Sequence, residues 1–218
     1  MKKRTAKLCF YSTYCVLALV GTLLDFGVFT GKISTRPLVY YTSLSNMVCS
    51  IFMLISLVRC IRNIEQNHGV MSFCKYTFVI MILLTAIVYN VLLNRYNSLI
   101  AYFADIKNSL YHFILPILFF LDWILFYRRG MVKWLYPLAA LAFPLVYVLY
   151  IIIRAAVVNT AGIAVSVLYP YFFLNVEKLG WFGFGLWMGI LLIGLIILGY
   201  GLYALDRLLC RRSHCAIP

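Results

Sequence analysis

The chain has 218 residues, of which 65% are hydrophobic and only 11% carry charge, and its mean hydropathy is +0.96. Soluble globular domains have roughly 25% charged residues, so this composition excludes that class and predicts an integral membrane protein. The formal net charge of +13 is typical of short basic segments beside anionic lipid. We expect no nucleic-acid partner, because no soluble domain is predicted that could bind one.

Six apolar runs are each long enough to cross a hydrocarbon core of roughly 30 Å, which requires about 20 helical residues. In chain order they are Leu8–Gly31, Leu38–Val58, Phe73–Leu93, Ser109–Tyr127, Trp134–Ile153 and Phe182–Leu205. They predict an all-α membrane protein, a single domain over residues 1–218 built as a bundle of six transmembrane helices. The first run contains Asp25 and is too long for a cleavable signal peptide, so we expect it to remain in the protein.

The basic residues predict the orientation of the bundle. With the N-terminus in the cytoplasm, thirteen of the nineteen Lys and Arg residues fall on the cytoplasmic side. The positive-inside rule therefore predicts that both termini are cytoplasmic. All seven cysteines then lie within spans or on the cytoplasmic side, so we expect free thiols.

The connection between the fifth and sixth runs, residues 154–181, is too long for a simple turn and too apolar for a solvated loop. An interfacial or re-entrant segment on the outer side of the bundle satisfies both properties. We interpret it as a candidate lid that includes Tyr169, Pro170 and Phe173.

Thr42 stands at the start of the second run, and Asn46 follows one helical turn later on the same face. Polar residues inside a span normally face protein or water, which makes them functional candidates. Free N–H groups and the positive end of the dipole at a helix start favour a developing alkoxide or oxyanion. Thr42 is therefore a candidate nucleophile, and Asn46 or these N–H groups are candidate oxyanion donors. The alternative is a hydrogen bond from the Thr42 hydroxyl to a backbone carbonyl one turn back.

His112 is the only histidine within a predicted span, since His68 and His214 fall in cytoplasmic segments. Imidazole titrates near neutral pH, which makes it the natural general base for a hydroxyl nucleophile. The second and fourth runs both begin at the outer face, so we expect Thr42 and His112 at the same depth, within hydrogen-bond reach or one bridging water of each other. A histidine with structural hydrogen bonds alone is the alternative.

Two aspartates lie within the runs. Asp25 precedes the outer end of the first run by about six residues, roughly 9 Å of helix, where it can orient His112 or pair with Arg95 or Asn90. Asp122 follows His112 by about ten residues, roughly 15 Å, which is too far for contact. We expect Asp122 to be structural, paired with a polar or basic group near the cytoplasmic end.

The sequence lacks the residues that several kinds of site require. Zinc or haem needs two or more clustered ligands within the membrane, and neither a G-x-S-x-G elbow nor a phosphate-binding glycine loop occurs. We therefore expect no metal and no cofactor. Three functions remain open: a hydrolase with a Thr42–His112 dyad, a small-solute or proton transporter or channel with Asp25, His112 and Asp122 as relay sites, and a non-catalytic membrane scaffold.

Three motifs at these positions resemble one family. They are Tyr40-Tyr41-Thr42-Ser43-Leu44-Ser45-Asn46, His112 followed by Pro116, and Tyr169-Pro170-Tyr171-Phe172-Phe173-Leu174. Together with the six spans they resemble the androgen-inducible six-span membrane hydrolases, over nearly the whole chain. The resemblance implies that Thr42 and His112 are the catalytic pair and that the substrates are fatty acid esters of hydroxy fatty acids.

The chain departs from the animal members of that family at two places. Extra residues separate Tyr169-Pro170 from Phe173-Leu174, and Asn175 stands where an acidic residue commonly follows. At these two places the chain resembles the bacterial branch of the family. This resemblance implies a multi-pass protein of the bacterial cytoplasmic membrane. The substrates of that branch are not assigned by the resemblance, so the fold carries over more safely than the substrate.

Overall fold

The structure is a computed structural model that describes residues 2–64 and 69–212, so His68, His214 and Cys215 lie outside the described residues. The described residues are helical and contain no strand. Six helical stretches are long and apolar enough to cross a membrane: Lys3–Asp25, Tyr41–Ile61, Gly69–Leu93, Ile106–Phe126, Tyr136–Thr160 and Val176–Arg211. The prediction of an all-α, multi-pass membrane protein is confirmed at this level.

The spans are built from shorter helical elements. The α-helices are α1 Lys2–Asp25, α2 Tyr41–Ile61, α3 Gly69–Val88, α4 Leu99–Ala104, α5 Ile106–Ser109, α6 Leu115–Phe126, α7 Tyr136–Ala139, α8 Ala142–Thr160 and α9 Val176–Arg212. Two π-helical segments interrupt the regular pattern, Tyr89–Leu93 at the end of α3 and Leu110–Ile114 between α5 and α6. Short 3₁₀ turns cover Val28–Thr30, Arg36–Val39 and Phe172–Leu174.

The first span ends at Asp25, six residues before the predicted Gly31. Gly27 has a left-handed backbone with φ of 76°, and a Cβ placed there would lie 2.5 Å from the carbonyl oxygen of Lys32. Only glycine permits such a turn without a clash, and it takes the chain out of the helix. Asp25 therefore stands at the helix end and not about 9 Å inside the span.

Unlike the first span, the fifth and sixth spans are longer than the apolar runs that predicted them. The fifth continues to Thr160, and α9 begins at Val176 with a break at Gly180, where φ is 65° and ψ is 169°. The connection between the two spans is thus reduced to residues 161–175. It contains the short 3₁₀ turn Phe172–Leu174, which contacts both α8 and α9.

Two groups of buried apolar side chains form the core. The larger group joins the first four spans and the sixth, and it includes the fully buried Tyr11, Tyr14 and Trp123. The smaller group includes Tyr147 of α8 and Leu174 of the following connection. Many large apolar side chains on the outer surfaces stay exposed, as expected for helices whose surroundings are lipid rather than water.

Buried carboxylates hold one end of the bundle together. The Lys75 ammonium lies 2.7 Å from Asp122, and both side chains are almost fully buried. Asp122 therefore pairs with a basic group, as predicted. Nearby in the same layer of the bundle, buried Asp206 of α9 accepts hydrogen bonds from the backbone N–H groups of Gly130 and Val132, at 3.0 and 3.3 Å. We call this region the ion-pair end.

The cysteines follow the sequence prediction with one exception. Free thiols are found at Cys9, Cys15, Cys49, Cys60 and Cys74. Cys210 is disulfide-bonded, so the expectation of a free thiol is wrong at that position.

Candidate functional site

A polar cavity of about 690 Å³ lies at the end of the bundle opposite the ion pairs, and we call this region the cavity end. Thr42 from the start of α2 and His112 from the fourth span both line its wall. Asp25, Arg95 and Lys107 line the same cavity. The structure therefore brings together the two residues that the sequence singled out as nucleophile and base.

A second cavity of about 150 Å³ lies beside the first and is almost entirely apolar. Its wall is formed by side chains such as Leu84, Met188 and Leu191 from the third and sixth spans. Thr42, Tyr89, Leu93 and Tyr171 line both cavities. Thr42 is thus a hydroxyl-bearing side chain at the boundary between a polar space and an apolar space.

The Thr42 side chain is held by a tyrosine from the far side of the sequence. Its Oγ1 lies 3.2 Å from the phenol oxygen of Tyr171, and its backbone N–H donates to the same oxygen at 3.3 Å. The hydroxyl makes this contact instead of a bond to a backbone carbonyl one turn back. The Thr42 carbonyl accepts hydrogen bonds from Ser45 and Asn46, which follow on the same helix.

His112 is positioned by two segments of irregular helix. It lies in the π-helical segment Leu110–Ile114, and its ring stacks on Tyr89 of the other π-helical segment with a centroid distance of 3.4 Å and an interplanar angle of 9°. Its carbonyl accepts a hydrogen bond from Asn90 at 3.1 Å. Nδ1 is buried and has no hydrogen-bond partner among the described residues. π-Helical segments occur often at functional sites, and no periodicity in the sequence indicated them here.

No hydrogen bond joins Thr42 and His112 within the described residues. Both side chains face the same cavity, so a substrate or a water molecule can lie between them. Catalytic hydrogen bonds are often long without substrate and shorten when it binds. That the two come within hydrogen-bond reach or one bridging water stays a prediction.

Asp25 has different partners from those considered in the sequence. Its carboxylate accepts a hydrogen bond from Ser43 at 2.6 Å and lies 3.5 Å from the Lys107 ammonium. It makes no hydrogen bond to His112 or Asn90 in the described part of the chain, because the helix ends at Asp25 and directs the carboxylate to the starts of the second and fourth spans. Asp25 therefore ties three helix ends together on the cavity wall.

Asn46 also joins helices. Its amide nitrogen donates to the carbonyls of Thr42 and Tyr111, at 2.9 and 3.3 Å, and the side chain is buried. Both N–H bonds are therefore used, and Asn46 lines neither cavity. In this arrangement it has no free donor for an oxyanion, and it fixes the second span against the fourth.

The connection before the sixth span forms part of both cavity walls. Pro170 lines the polar cavity and Phe173 the apolar one, while the Tyr169 phenol is 3.4 Å from Glu177. Tyr171 lies between them and is buried. Burial raises the pKa of Tyr171 to about 12, although its hydrogen bonds with Thr42 act in the opposite direction, so the phenol stays protonated near neutral pH.

The charged groups of the polar cavity are unequal in number. Arg36, Arg95 and Lys107 face two carboxylates, Asp25 and Asp105. Burial tends to raise the pKa of Asp105, but hydrogen bonds from Tyr96 and the Asn108 backbone and the nearby Lys107 charge lower it overall, so it stays ionised. Three cations against two anions leave the cavity with a positive excess.

No group of three or more His, Cys, Asp or Glu side chains that could hold a metal ion occurs among residues 2–64 and 69–212. Comparison of the chain with protein-family models, curated proteins and solved structures finds no match.

Proposed function

We propose that this protein is a membrane-embedded hydrolase of lipid esters, with Thr42 as the nucleophile and His112 as the general base. The observation that carries the proposal is the position of the Thr42 hydroxyl at the boundary of the apolar and polar cavities. An ester bound with its acyl chain in the apolar cavity and its alcohol part in the polar one has its carbonyl carbon at that boundary. His112 on the polar wall is then on the side of the leaving alcohol.

The reaction follows from these positions. Thr42 Oγ1 attacks the ester carbonyl carbon while its proton passes to His112, and a tetrahedral intermediate forms. The bond between the carbonyl carbon and the alkoxy oxygen then breaks, and the protonated His112 gives its proton to the leaving alcohol. Water attacks the acyl-threonine with His112 again as base, which releases the carboxylic acid and restores the Thr42 hydroxyl.

The cavity dimensions bear on the substrate. An engineered apolar cavity of about 150 Å³ in another protein holds benzene, so the apolar cavity here accommodates a short hydrocarbon segment as it stands. A longer acyl chain would extend between α8 and α9 into the bilayer. The positive excess in the polar cavity favours an ester with an anionic alcohol part, a property that fatty acid esters of hydroxy fatty acids have.

The same proposal includes a lid and an orientation. Tyr169, Pro170 and Phe173 belong to the segment that covers the site, supported by the contributions of Pro170 and Phe173 to the two cavity walls. The site opens to the outer face of a bacterial cytoplasmic membrane, and both termini are cytoplasmic, as the thirteen-to-six distribution of basic residues favours.

Cysteine labelling in intact cells tests the orientation. Asn97→Cys and Lys133→Cys introduce exposed thiols near opposite ends of the bundle, with the unsubstituted protein as the blank. A membrane-impermeant maleimide should label the cysteine at position 97 and not the one at 133. The reverse pattern would place the cavity on the cytoplasmic side, and it would leave the chemistry at Thr42 unaffected.

Ester hydrolysis by the purified protein tests the function. The protein in nanodiscs is incubated with esters of increasing acyl length, and Thr42→Ala is compared with Thr42→Ser and with Thr160→Ala. Thr160 is an exposed threonine at the end of α8, bonded only to the Ala156 carbonyl, and serves as the matched control. We expect activity in the wild type and the Thr160 variant, partial activity in Thr42→Ser and none in Thr42→Ala. Full turnover by Thr42→Ala would exclude the mechanism.

The transporter hypothesis has less support. A relay through Asp25, His112 and Asp122 needs these groups along one path, but Asp122 pairs with Lys75 and lines neither cavity. The hydrolase is therefore the function that the geometry supports best.

A further inference from the structure

Tyr171 contacts the hydroxyl of the proposed nucleophile and has no role in the mechanism above. It lies on the connection before the sixth span, 129 positions from Thr42 in the sequence, and it lines both cavities. Its ring stacks on Phe173 with centroids 5.2 Å apart and meets Tyr40 edge-on at 5.9 Å. These ring contacts fix the direction of the phenol oxygen toward Thr42.

Either hydroxyl group can donate in the hydrogen bond between Thr42 and Tyr171, and the backbone N–H of Thr42 favours donation by Tyr171 because it already occupies one acceptor position of the phenol oxygen. The backbone N–H of Thr42 can only donate, and at 3.3 Å it donates to the phenol oxygen of Tyr171. The phenol is protonated near neutral pH, so its own hydrogen is free to point at Thr42 Oγ1, 3.2 Å away. Thr42 Oγ1 then accepts from Tyr171 and keeps its own hydrogen for a base across the cavity.

We propose that Tyr171 is a positioning residue for the Thr42 nucleophile, an inference that rests on the proposed function. Its phenol holds the Thr42 side chain in the rotamer that presents Oγ1 at the cavity boundary, with the Thr42 hydrogen directed to the polar cavity. When His112 takes that hydrogen, the bond from Tyr171 to the oxygen becomes charge-assisted and strengthens. The phenol thus stabilises the developing alkoxide more than the resting hydroxyl, as a catalytic contribution requires.

The alternative role of the same bond is structural: it ties the connection before the sixth span to the start of α2. The two roles differ in what the loss of the phenol changes. Loss of a tie lowers stability and leaves the reactivity of the folded protein as it was. Loss of a positioning group lowers the reactivity of Thr42 itself, independently of how tightly substrate binds.

The experiment compares Tyr171→Phe with Tyr76→Phe. Tyr76 is another buried tyrosine, on the third span, that lines neither cavity, and its phenol donates to the Gly199 carbonyl at 2.6 Å. Both substitutions remove one buried phenol hydroxyl and keep the ring. The measurements are kcat and KM for a cleaved ester, the Tm, and the second-order rate of inactivation by a fluorophosphonate, which phosphonylates hydroxyl nucleophiles with loss of fluoride.

For Tyr171→Phe we expect kcat and the inactivation rate to fall about 10- to 100-fold with KM within about twofold, the size typical of a lost hydrogen bond to a charged group. Tyr76→Phe should lower the Tm and leave both rates unchanged. An unchanged inactivation rate in Tyr171→Phe, together with a lower Tm, would overturn the proposal. The bond would then serve only to attach the connection to the start of α2.

A second substitution covers the case in which Tyr171→Phe does not fold. A fluorinated tyrosine at position 171 keeps the ring and the oxygen but makes the phenol more acidic. The phenol then ionises and stops donating at a lower pH, so the alkaline limb of the inactivation rate should move to lower pH. An unmoved limb contradicts the positioning role.

The outcomes also separate this inference from the function on which it rests. If Thr42→Ala keeps the wild-type inactivation rate, or the wild type shows neither turnover nor inactivation, the proposed function is wrong and Tyr171 has no nucleophile to position. If Thr42→Ala is inert and Tyr171→Phe reacts like the wild type, the function stands and only the role of Tyr171 is wrong.

Discussion

The two ends of the bundle treat their charged side chains in opposite ways. At the ion-pair end, Asp122 has a lysine at 2.7 Å, and both groups are shielded from the surroundings. At the cavity end, the corresponding pair of Asp25 and Lys107 is longer, at 3.5 Å, and the lysine side chain is 49% exposed. The charges of Asp122 and Lys75 neutralise each other in the interior, whereas Asp25 and Lys107 also line the wall of the polar cavity, where a ligand can reach them.

The backbone differs between the two ends in the same sense. Both π-helical segments, Tyr89–Leu93 and Leu110–Ile114, lie at the cavity end, as does the break at Gly180. Irregular helix costs some stability and turns side chains such as Tyr89 and His112 in directions that a regular helix would not allow. We infer that buried ion pairing supports stability at one end and that the proposed chemistry lies at the other, and removal of one group at a time from each end tests this separation.

The largest effect is expected at the catalytic pair. Thr42→Ala and His112→Ala should each lower kcat/KM by about 1000-fold or more, and the double variant should be no worse, because members of one catalytic unit are not additive. Thr42→Ala loses one side-chain contact, so its unfolding free energy should change by only about 1 kcal/mol. Ester turnover and thermal unfolding measure the two quantities. A double variant with the product of the single losses would show that the residues act separately.

The next largest effect is expected on stability at the ion-pair end. Asp122→Leu leaves the buried Lys75 ammonium without its carboxylate, which should lower the unfolding free energy by about 3–5 kcal/mol. The double variant Lys75→Met with Asp122→Leu should recover most of that loss, because a buried ion pair and an apolar pair of similar volume are close in free energy. Unfolding in detergent measures both. Loss of ester turnover in the folded double variant would show that this end also takes part in the chemistry.

The apolar runs were sufficient to predict six spans, because the length of an apolar run is fixed by the bilayer thickness. They could not give the end of the first span, since Phe26 and Val28 are as apolar as the helix and the turn depends on the backbone of Gly27. This displaced Asp25 to the helix end. The error at the sixth span has the opposite sense: its helix begins at Val176, before the predicted Phe182, because its first turn carries Glu177 and Lys178, which no apolar run includes.

The candidate site was predictable in part. Thr42 and His112 stand out because each is a reactive polar residue at the start of an apolar run, and the structure places both on one cavity wall. The role of Tyr171 was not predictable, because its contact with Thr42 joins positions 129 apart and the sequence has seventeen tyrosines to choose from. The stacking of His112 on Tyr89 depends on π-helical geometry, which leaves no periodic pattern.

A smaller effect is expected from the cations of the polar cavity. Arg95 lines that cavity, and no ion-pair partner for it occurs among the described residues. For an ester with a free carboxylate, Arg95→Gln should raise KM by about tenfold, or about 1.4 kcal/mol, because one charge-assisted contact is lost. The methyl ester of the same compound is the control, and its KM should not change. Equal changes for both esters would show that Arg95 acts on the shape of the cavity and not on charge.

The smallest effect on the unfolding free energy is expected from a lysine-to-methionine substitution at the cavity end, although the same substitution at the ion-pair end should be severe. Lys107→Met removes the ammonium beside Asp25, but Asp25 keeps its hydrogen bond from Ser43, and the lysine it loses is half exposed to solvent. Exposed ion pairs contribute about 0–1 kcal/mol, so the unfolding free energy should hardly change. Lys75→Met, the matched substitution at the ion-pair end, leaves the buried Asp122 carboxylate without its counter-charge, with only the Tyr11 phenol among the described residues hydrogen-bonded to it, and should cost about 3–5 kcal/mol. Thermal unfolding of the two variants side by side measures the difference. If the two losses were equal, burial would not be what separates the ends, and Asp25 would have to be counted among the groups that hold the bundle together.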